Sequence, residues 1–301
     1  MGWDIITLPT ILIVDYISGL VSNVFILSVH FHCWLKGETL SSSDLIIVGL
    51  AFSSIIYSLV KCSTCIILFY SPGMSSLRPI IYTLCFTSIY SFYSSTWLGT
   101  CLCFFFYVKI INFQSRFFSW LKMKIDTLVP WMIFAAEVFS VFNSLLYIFT
   151  YLDVNPVNST DPFFSSQISS CRTTYSFNPS FQIINTFIPI LIATVTTSHI
   201  IVSLYKHIHR MRQNIGDGDG PSLKVHKRAA FTMFHLLVFY ITVYGITVGF
   251  VTPQGGVLGW ILYILSSLYA FVQSIILILG NNRLLQTCVK ILNRLRPKIL
   301  P

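Results

Sequence analysis

The sequence predicts an all-α membrane protein, a seven-transmembrane helix bundle with its N-terminus outside and its C-terminus cytoplasmic. Three observations carry this reading: few charges, seven long apolar runs, and a one-sided distribution of Lys and Arg. Only 10% of the 301 residues are charged and 54% are hydrophobic, and the mean hydropathy is +0.75. A soluble domain carries about 25% charged residues because its surface faces water. A helix needs about 20 mostly apolar residues to cross the hydrocarbon core. Seven crossings with short loops use up the chain, which excludes a separate soluble domain or catalytic module and leaves residues 1–301 as one unit.

The first span covers residues 8–33. No basic n-region precedes it and its apolar run outlasts a signal-peptide h-region, so it is expected to serve as its own insertion signal. Lys36-Gly37-Glu38 breaks the chain before the second span, residues 44–70, and Ser71-Pro72-Gly73 before the third, residues 79–108. A basic stretch, residues 116–124, separates the third from the fourth, residues 125–152. The polar residues 153–180 lead to the fifth span, 181–204, and Gly216-Asp217-Gly218-Asp219-Gly220-Pro221 precedes the sixth, 229–251. Thr252-Pro253-Gln254-Gly255-Gly256 marks the turn into the seventh, 257–279, and residues 282–301 form a short basic cytoplasmic tail. Gly and Pro are the turn signals here. Periodicity adds little, because a helix that is apolar all round has no polar face to locate.

Orientation follows from the basic residues. With the amino terminus outside, sixteen of the 19 Lys and Arg fall on the cytoplasmic side, Arg78 and Arg172 fall outside, and Lys61 lies within a span. The net charge of +9 is thereby explained by anionic headgroups of membrane lipid, with no nucleic acid partner. The sequon Asn158-Ser159-Thr160 sits in the longest outer loop and is a candidate for N-glycosylation. Cys85 and Cys171 both fall on the oxidising side and form a candidate disulfide, whose distance the sequence leaves open. Cys62 and Cys65 make a CxxC inside an apolar run, where small helix-facing side chains are expected and not a metal site. Cys288, just past the last span, is a candidate palmitoylation position.

Specific residues point to a family. Trp97-Leu98-Gly99-Thr100-Cys101-Leu102, then Phe105, then Lys109-Ile110-Ile111-Asn112-Phe113 resembles the third helix of the bitter taste (type 2 taste) receptor family. There the pattern runs W-L-x-T-x-L, then F, then L-K-I-x-N-F. Gly19, Asn23, Phe25 and Ile26 are similar to its first helix, and Leu40-Ser41-Ser42-Ser43-Asp44-Leu45 with Gly49-Leu50-Ala51 and Ser53 to its second. Pro189, Ser203-Leu204, His207 and Met211 look like the fifth, and Asp219, Pro221-Ser222 and His226 like the loop into the sixth. Ser274, Leu277-Ile278, Gly280-Asn281, Arg283-Leu284 and Gln286-Thr287 look like the end of the seventh. Two departures stand out: Ser54 where the family pattern has Arg, and Gln273 where it has His before Ser274.

The resemblance implies a GPCR-like receptor of the plasma membrane for bitter small molecules. It acts through a heterotrimeric G protein of gustducin or inhibitory type, with no cofactor and no enzymatic activity, and with a receptor oligomer as an open expectation. Ser88, Phe92 and Tyr263 fall where that family lines its ligand pocket. Tyr93, Tyr240 and Tyr244, on the outward halves of the third and sixth spans, join them as ligand-binding candidates. Aromatic faces with hydroxyl handles suit bulky, weakly polar or cationic compounds. Lys109, Arg116, Lys206, His207, Arg210, Lys224, His226 and Lys227 are the candidates for the G-protein side. Positive-inside anchoring accounts equally well for the cations among them.

Ionisable groups within spans cost about 2.5–3.5 kcal/mol at the bilayer centre, so each needs a role. Asp15 lies eight residues before Asn23 and Lys61 seven after Ser54. At 1.5 Å rise per residue both sit about 10–12 Å outward of those anchors, and an ion pair between the first two helices is expected. Glu137 has no evident partner in the sequence. Asn23, Asn112 and Asn281 are expected as hydrogen-bonding glue between helices. Another seven-helix chemoreceptor, such as a type 1 vomeronasal receptor, is the nearest alternative. A small transporter is a more distant one, given the absence of internal repeats.

Overall fold

The computed structural model describes residues 4–70, 78–111, 116–154, 179–215, 231–243, 245–246, 261 and 264–295. The elements are α1 (Asp4–Leu35), α2 (Ser42–Tyr70), α3 (Arg78–Ile110), α4 (Arg116–Val154) and α5 (Pro179–Ile215). Then come α6 (Phe231–Val243), α7 (Tyr269–Gly280) and α8 (Asn282–Leu295). Among the described residues no strand occurs. In hydrocarbon the backbone must satisfy its own hydrogen bonds, and a helix does so within one segment.

The helix ends are written in local chemistry. α1 stops at Gly37, whose φ of +78° is the left-handed conformation glycine adopts without steric cost. Gly37 N–H donates to Trp34 O at 2.9 Å and Glu38 N–H to Cys33 O at 3.2 Å, the paired bonds of a Schellman close. α2 starts with a capping box: Asp44 N–H donates to Ser41 Oγ and Ser41 N–H to Asp44 Oδ2, both at 3.2 Å. Each side chain thereby satisfies a backbone donor left open at the helix start.

α1 packs on α2 and α7, α2 on α3, and α3 on α4 and α5. Pro9–Leu35, Ser42–Ile67 and Arg116–Leu146 are each long and apolar enough to cross a bilayer, and the bent pair α7–α8 adds a fourth span by the same measure. α3 is not among them because its buried faces carry hydroxyls: Ser88, Ser91, Ser94, Ser95, Thr96 and Thr100 are all buried. It lies in the middle of the bundle and faces neighbouring helices in place of lipid. α4 is the opposite case, with Met123, Trp131 and Phe134 each more than 60% exposed, as a lipid-facing surface requires.

Helical structure extends past the apolar runs. α4 begins at Arg116, inside the basic stretch, and α5 runs on to Ile215. Hydropathy senses the hydrocarbon core, whereas a helix continues wherever its backbone bonds persist. The basic tail is likewise helical over α8, which leaves α7 through a bend of 101° at Asn281.

Candidate functional site

Two layers meet at the centre of the bundle. The first is aromatic. Phe92 lies 5.5 Å, centroid to centroid, from Tyr269 and 6.1 Å from Tyr93. Tyr269 also meets Tyr57 and Phe239, each at 5.4 Å, and Phe239 meets Tyr240 at 5.6 Å. Three of the expected ligand residues, Phe92, Tyr93 and Tyr240, are thus joined through Tyr269 and Phe239. Ser88 is buried on α3 one turn before Phe92.

Beside it lies a neutral polar layer built on Gln273. Its Oε1 accepts from Ser54 Oγ at 3.1 Å and from Ser95 Oγ at 3.3 Å. Its Nε2 donates to Tyr240 Oη at 3.2 Å, and Tyr240 Oη donates to Ser95 O at 3.3 Å. Four helices, α2, α3, α6 and α7, are joined through side chains that are all 3% exposed or less. Such a network favours one arrangement because each group left unpaired in a low-dielectric interior is costly. Gly99 makes room for it, since a methyl group there would overlap the Tyr240 hydroxyl.

Glu137 has two partners: Tyr90 Oη donates to it at 2.6 Å and Ser94 Oγ at 2.8 Å. Ser94 in turn lies 2.7 Å from Ser53 Oγ, so the carboxyl group of α4 is tied through α3 to α2. Asn23, fully buried, donates to Gly19 O at 2.8 Å and across helices to Ala270 O at 3.1 Å. Gly19 permits this approach, because a Cβ there would stand 3.0 Å from Ala270 Cβ and 3.2 Å from Phe271 N.

Asp15 has a hydroxyl partner. It accepts a 2.6 Å bond from Ser267 Oγ, a tie from the first helix toward the seventh, where an ion pair with Lys61 on the second was expected. The Lys61 ammonium lies 5.6 Å from the Tyr57 ring centroid, within cation–π range.

At the other end of the bundle Lys109 pairs with Asp126 at 3.2 Å and lies 4.9 Å from the Phe105 ring centroid; Arg116 and Lys206 are exposed. Asn281 donates to Asp44 Oδ1 at 3.0 Å and caps α8 by accepting from Arg283 N at 3.0 Å. His30 Nε2 lies 3.5 Å from the same Asp44 oxygen. His207 and Arg210 belong to α5, but their side chains lie outside the described residues, as do Tyr244, Tyr263, Lys224, His226, Lys227, Asn112, Asn158 and Cys171. Cys85 is half-buried on α3. Sequence reasoning missed Tyr57, Phe239 and Tyr269 as members of the aromatic layer. One helical turn separates Tyr269 from Gln273, and that spacing was the available signal.

A bundle of apolar helices, at least three of them long enough to cross a bilayer, packed around a shared aromatic and polar centre, is the architecture of a helical membrane protein. The family model described as taste receptor protein (TAS2R) matches residues 2–296. The chain is 27% identical over 290 residues to taste receptor type 2 member 8 of Gorilla gorilla gorilla, covering 92% of each chain. It is 28% identical over 308 residues to taste receptor type 2 member 7 of Rattus norvegicus, covering 96% of this chain and 95% of the relative. With the member 7 protein of Pongo pygmaeus it shares 28% identity over 301 residues, covering 95% and 92%. The chain belongs to the TAS2R family of taste receptors; it is a receptor and not an enzyme.

Proposed function

We propose that this receptor is activated at the plasma membrane by bitter small molecules and signals through a heterotrimeric G protein of gustducin or inhibitory type. The observation that carries the reading is the position of Tyr240. Its ring adjoins the aromatic layer through Phe239, while its hydroxyl bonds Gln273 and Ser95 O. An agonist contacting the aromatic layer changes the environment of a group that also holds α6 to α3 and α7. Ligands act by population shift: an agonist moves the equilibrium only by its differential affinity for the two arrangements. Lys109, Arg116 and Lys206, with the basic residues that follow them in α5 and the loop into α6, border the G-protein cavity in this reading.

The test is calcium release in cells carrying a chimeric G protein, exposed to a panel of bitter compounds. At verified surface expression, at least one compound gives a dose-dependent, G-protein-dependent response. Silence across the panel, or ion flux that needs no G protein, refutes the proposal.

A further inference from the structure

α6 meets α7 at Gly280, and the contact leaves no space for a side chain. A methyl group on Gly280 would overlap the Thr232 side chain, whose Cβ lies 2.8 Å from where the added carbon would stand. Thr232 is itself buried, so it has little freedom to swing aside.

The residue after Gly280 is Asn281, where the chain bends by 101° into α8. Asn281 is committed on both sides of its carboxamide. Nδ2 donates to Asp44 Oδ1 at 3.0 Å, and Oδ1 accepts from Arg283 N at 3.0 Å and from Leu284 N at 3.4 Å. Arg283 then pairs with Glu38 at 3.2 Å, and Asp44 faces His30 at 3.5 Å. The steric contact of α6 is therefore one peptide bond away from a junction that fixes α8 against α1 and α2. One planar peptide unit joins Gly280 to Asn281, so the two contacts lie within one residue of each other along the chain.

We propose that Thr232 seated on Gly280 is a latch. It holds α6 flush with α7, and its release both frees α6 and loosens Asn281 from Asp44, so that the start of α8 responds to the position of α6. This inference rests on the receptor reading above.

Two measurements decide it. Gly280→Ala forces Thr232 off its seat, and agonist-independent signalling at matched surface expression rises about fivefold or more, the low end of ordinary coupling between sites. Adding Thr232→Gly to the same chain removes the Cβ along with Oγ1 and Cγ2, restores the space and returns basal signalling to the wild-type level. In the second measurement Thr232→Gly alone unseats the latch from the other side, since it removes every Thr232 atom that meets Gly280. Its basal signalling also rises, and the double variant is quieter than either single one. Unchanged basal signalling in Gly280→Ala or in Thr232→Gly, or a double variant no quieter than either, would each overturn the latch. Wild type is run alongside: a responsive wild type with unmoved variants sinks the latch alone, and a silent wild type sinks the receptor reading with it. If Gly280→Ala does not reach the surface, Thr232→Gly alone decides between latch and no latch.

Discussion

The hydroxyl of Ser54 donates to the carboxamide oxygen of Gln273 across 3.1 Å, joining α2 to α7 inside the bundle. These are the two positions where the sequence departs from the family pattern, and they are partners. Gln273→Leu leaves Ser54, Ser95 and the Tyr240 hydroxyl without their shared partner. A buried group stranded in this way costs about 1–3 kcal/mol, so the purified variant melts at a lower temperature than wild type. Ser54→Ala removes one donor and leaves Ser95 to supply the other bond, so its melting point falls less.

Tyr240→Phe keeps the ring against Phe239 and removes the bonds to Gln273 and Ser95 O. With an agonist found in the panel, the midpoint of the dose–response curve moves by about tenfold, equivalent to about 1.4 kcal/mol. An unmoved midpoint would detach the polar layer from activation.

Asn23→Leu deletes the bond to Ala270 O and forces a branched side chain into the seam between α1 and α7. Interhelical hydrogen bonds in membranes average about 0.6 kcal/mol with a ceiling near 2. Surface expression falls accordingly. Gly19→Val, which places its Cβ 3.0 Å from Ala270 Cβ, does so more strongly through overpacking, a cost of about 1–3 kcal/mol.

Glu137→Gln retains an oxygen and an amino group for Tyr90 and Ser94, and its stability stays near wild type. Glu137→Leu strands both hydroxyls at about 1–3 kcal/mol. A thermal-shift comparison of the two variants distinguishes a packing tie from a position that tolerates any side chain.

Asn158→Gln removes the outer-loop sequon. On gels the wild-type receptor loses mass on glycosidase treatment and the variant does not. Equal mobility of all four samples would refute glycosylation there and weaken the outward assignment of that loop.

How much of this was legible in the sequence depends on what each signal measures. Apolar runs located α1 and α2 because hydrocarbon length dictates them. They passed over the helical turns of α4 from Arg116 onward, which the headgroup region accommodates without hydrophobic residues. Helix rotation was not legible. A helix that is apolar all round carries no stripe to orient it, so depth alone could be matched for Asp15, and its bond from Ser267 had no signal in the sequence. Tyr240 and Phe92 were identified from family-like positions and outward placement. Tyr269 was passed over because nothing in a local window separates it from the rest of the 15 tyrosines. Gln273 registered only as a departure, since its role exists only once α2, α3 and α6 are brought around it.

The capping box at the start of α2 spends one oxygen of Asp44 on Ser41 and the other on Asn281. Neutralising this carboxylate would therefore inflict two lesions at once, fraying a helix terminus and unfastening the α7–α8 junction. Mutational scans that score Asp44 by signal loss alone would conflate folding with gating. Ser41→Ala, which touches only the first of these, is the control that separates them.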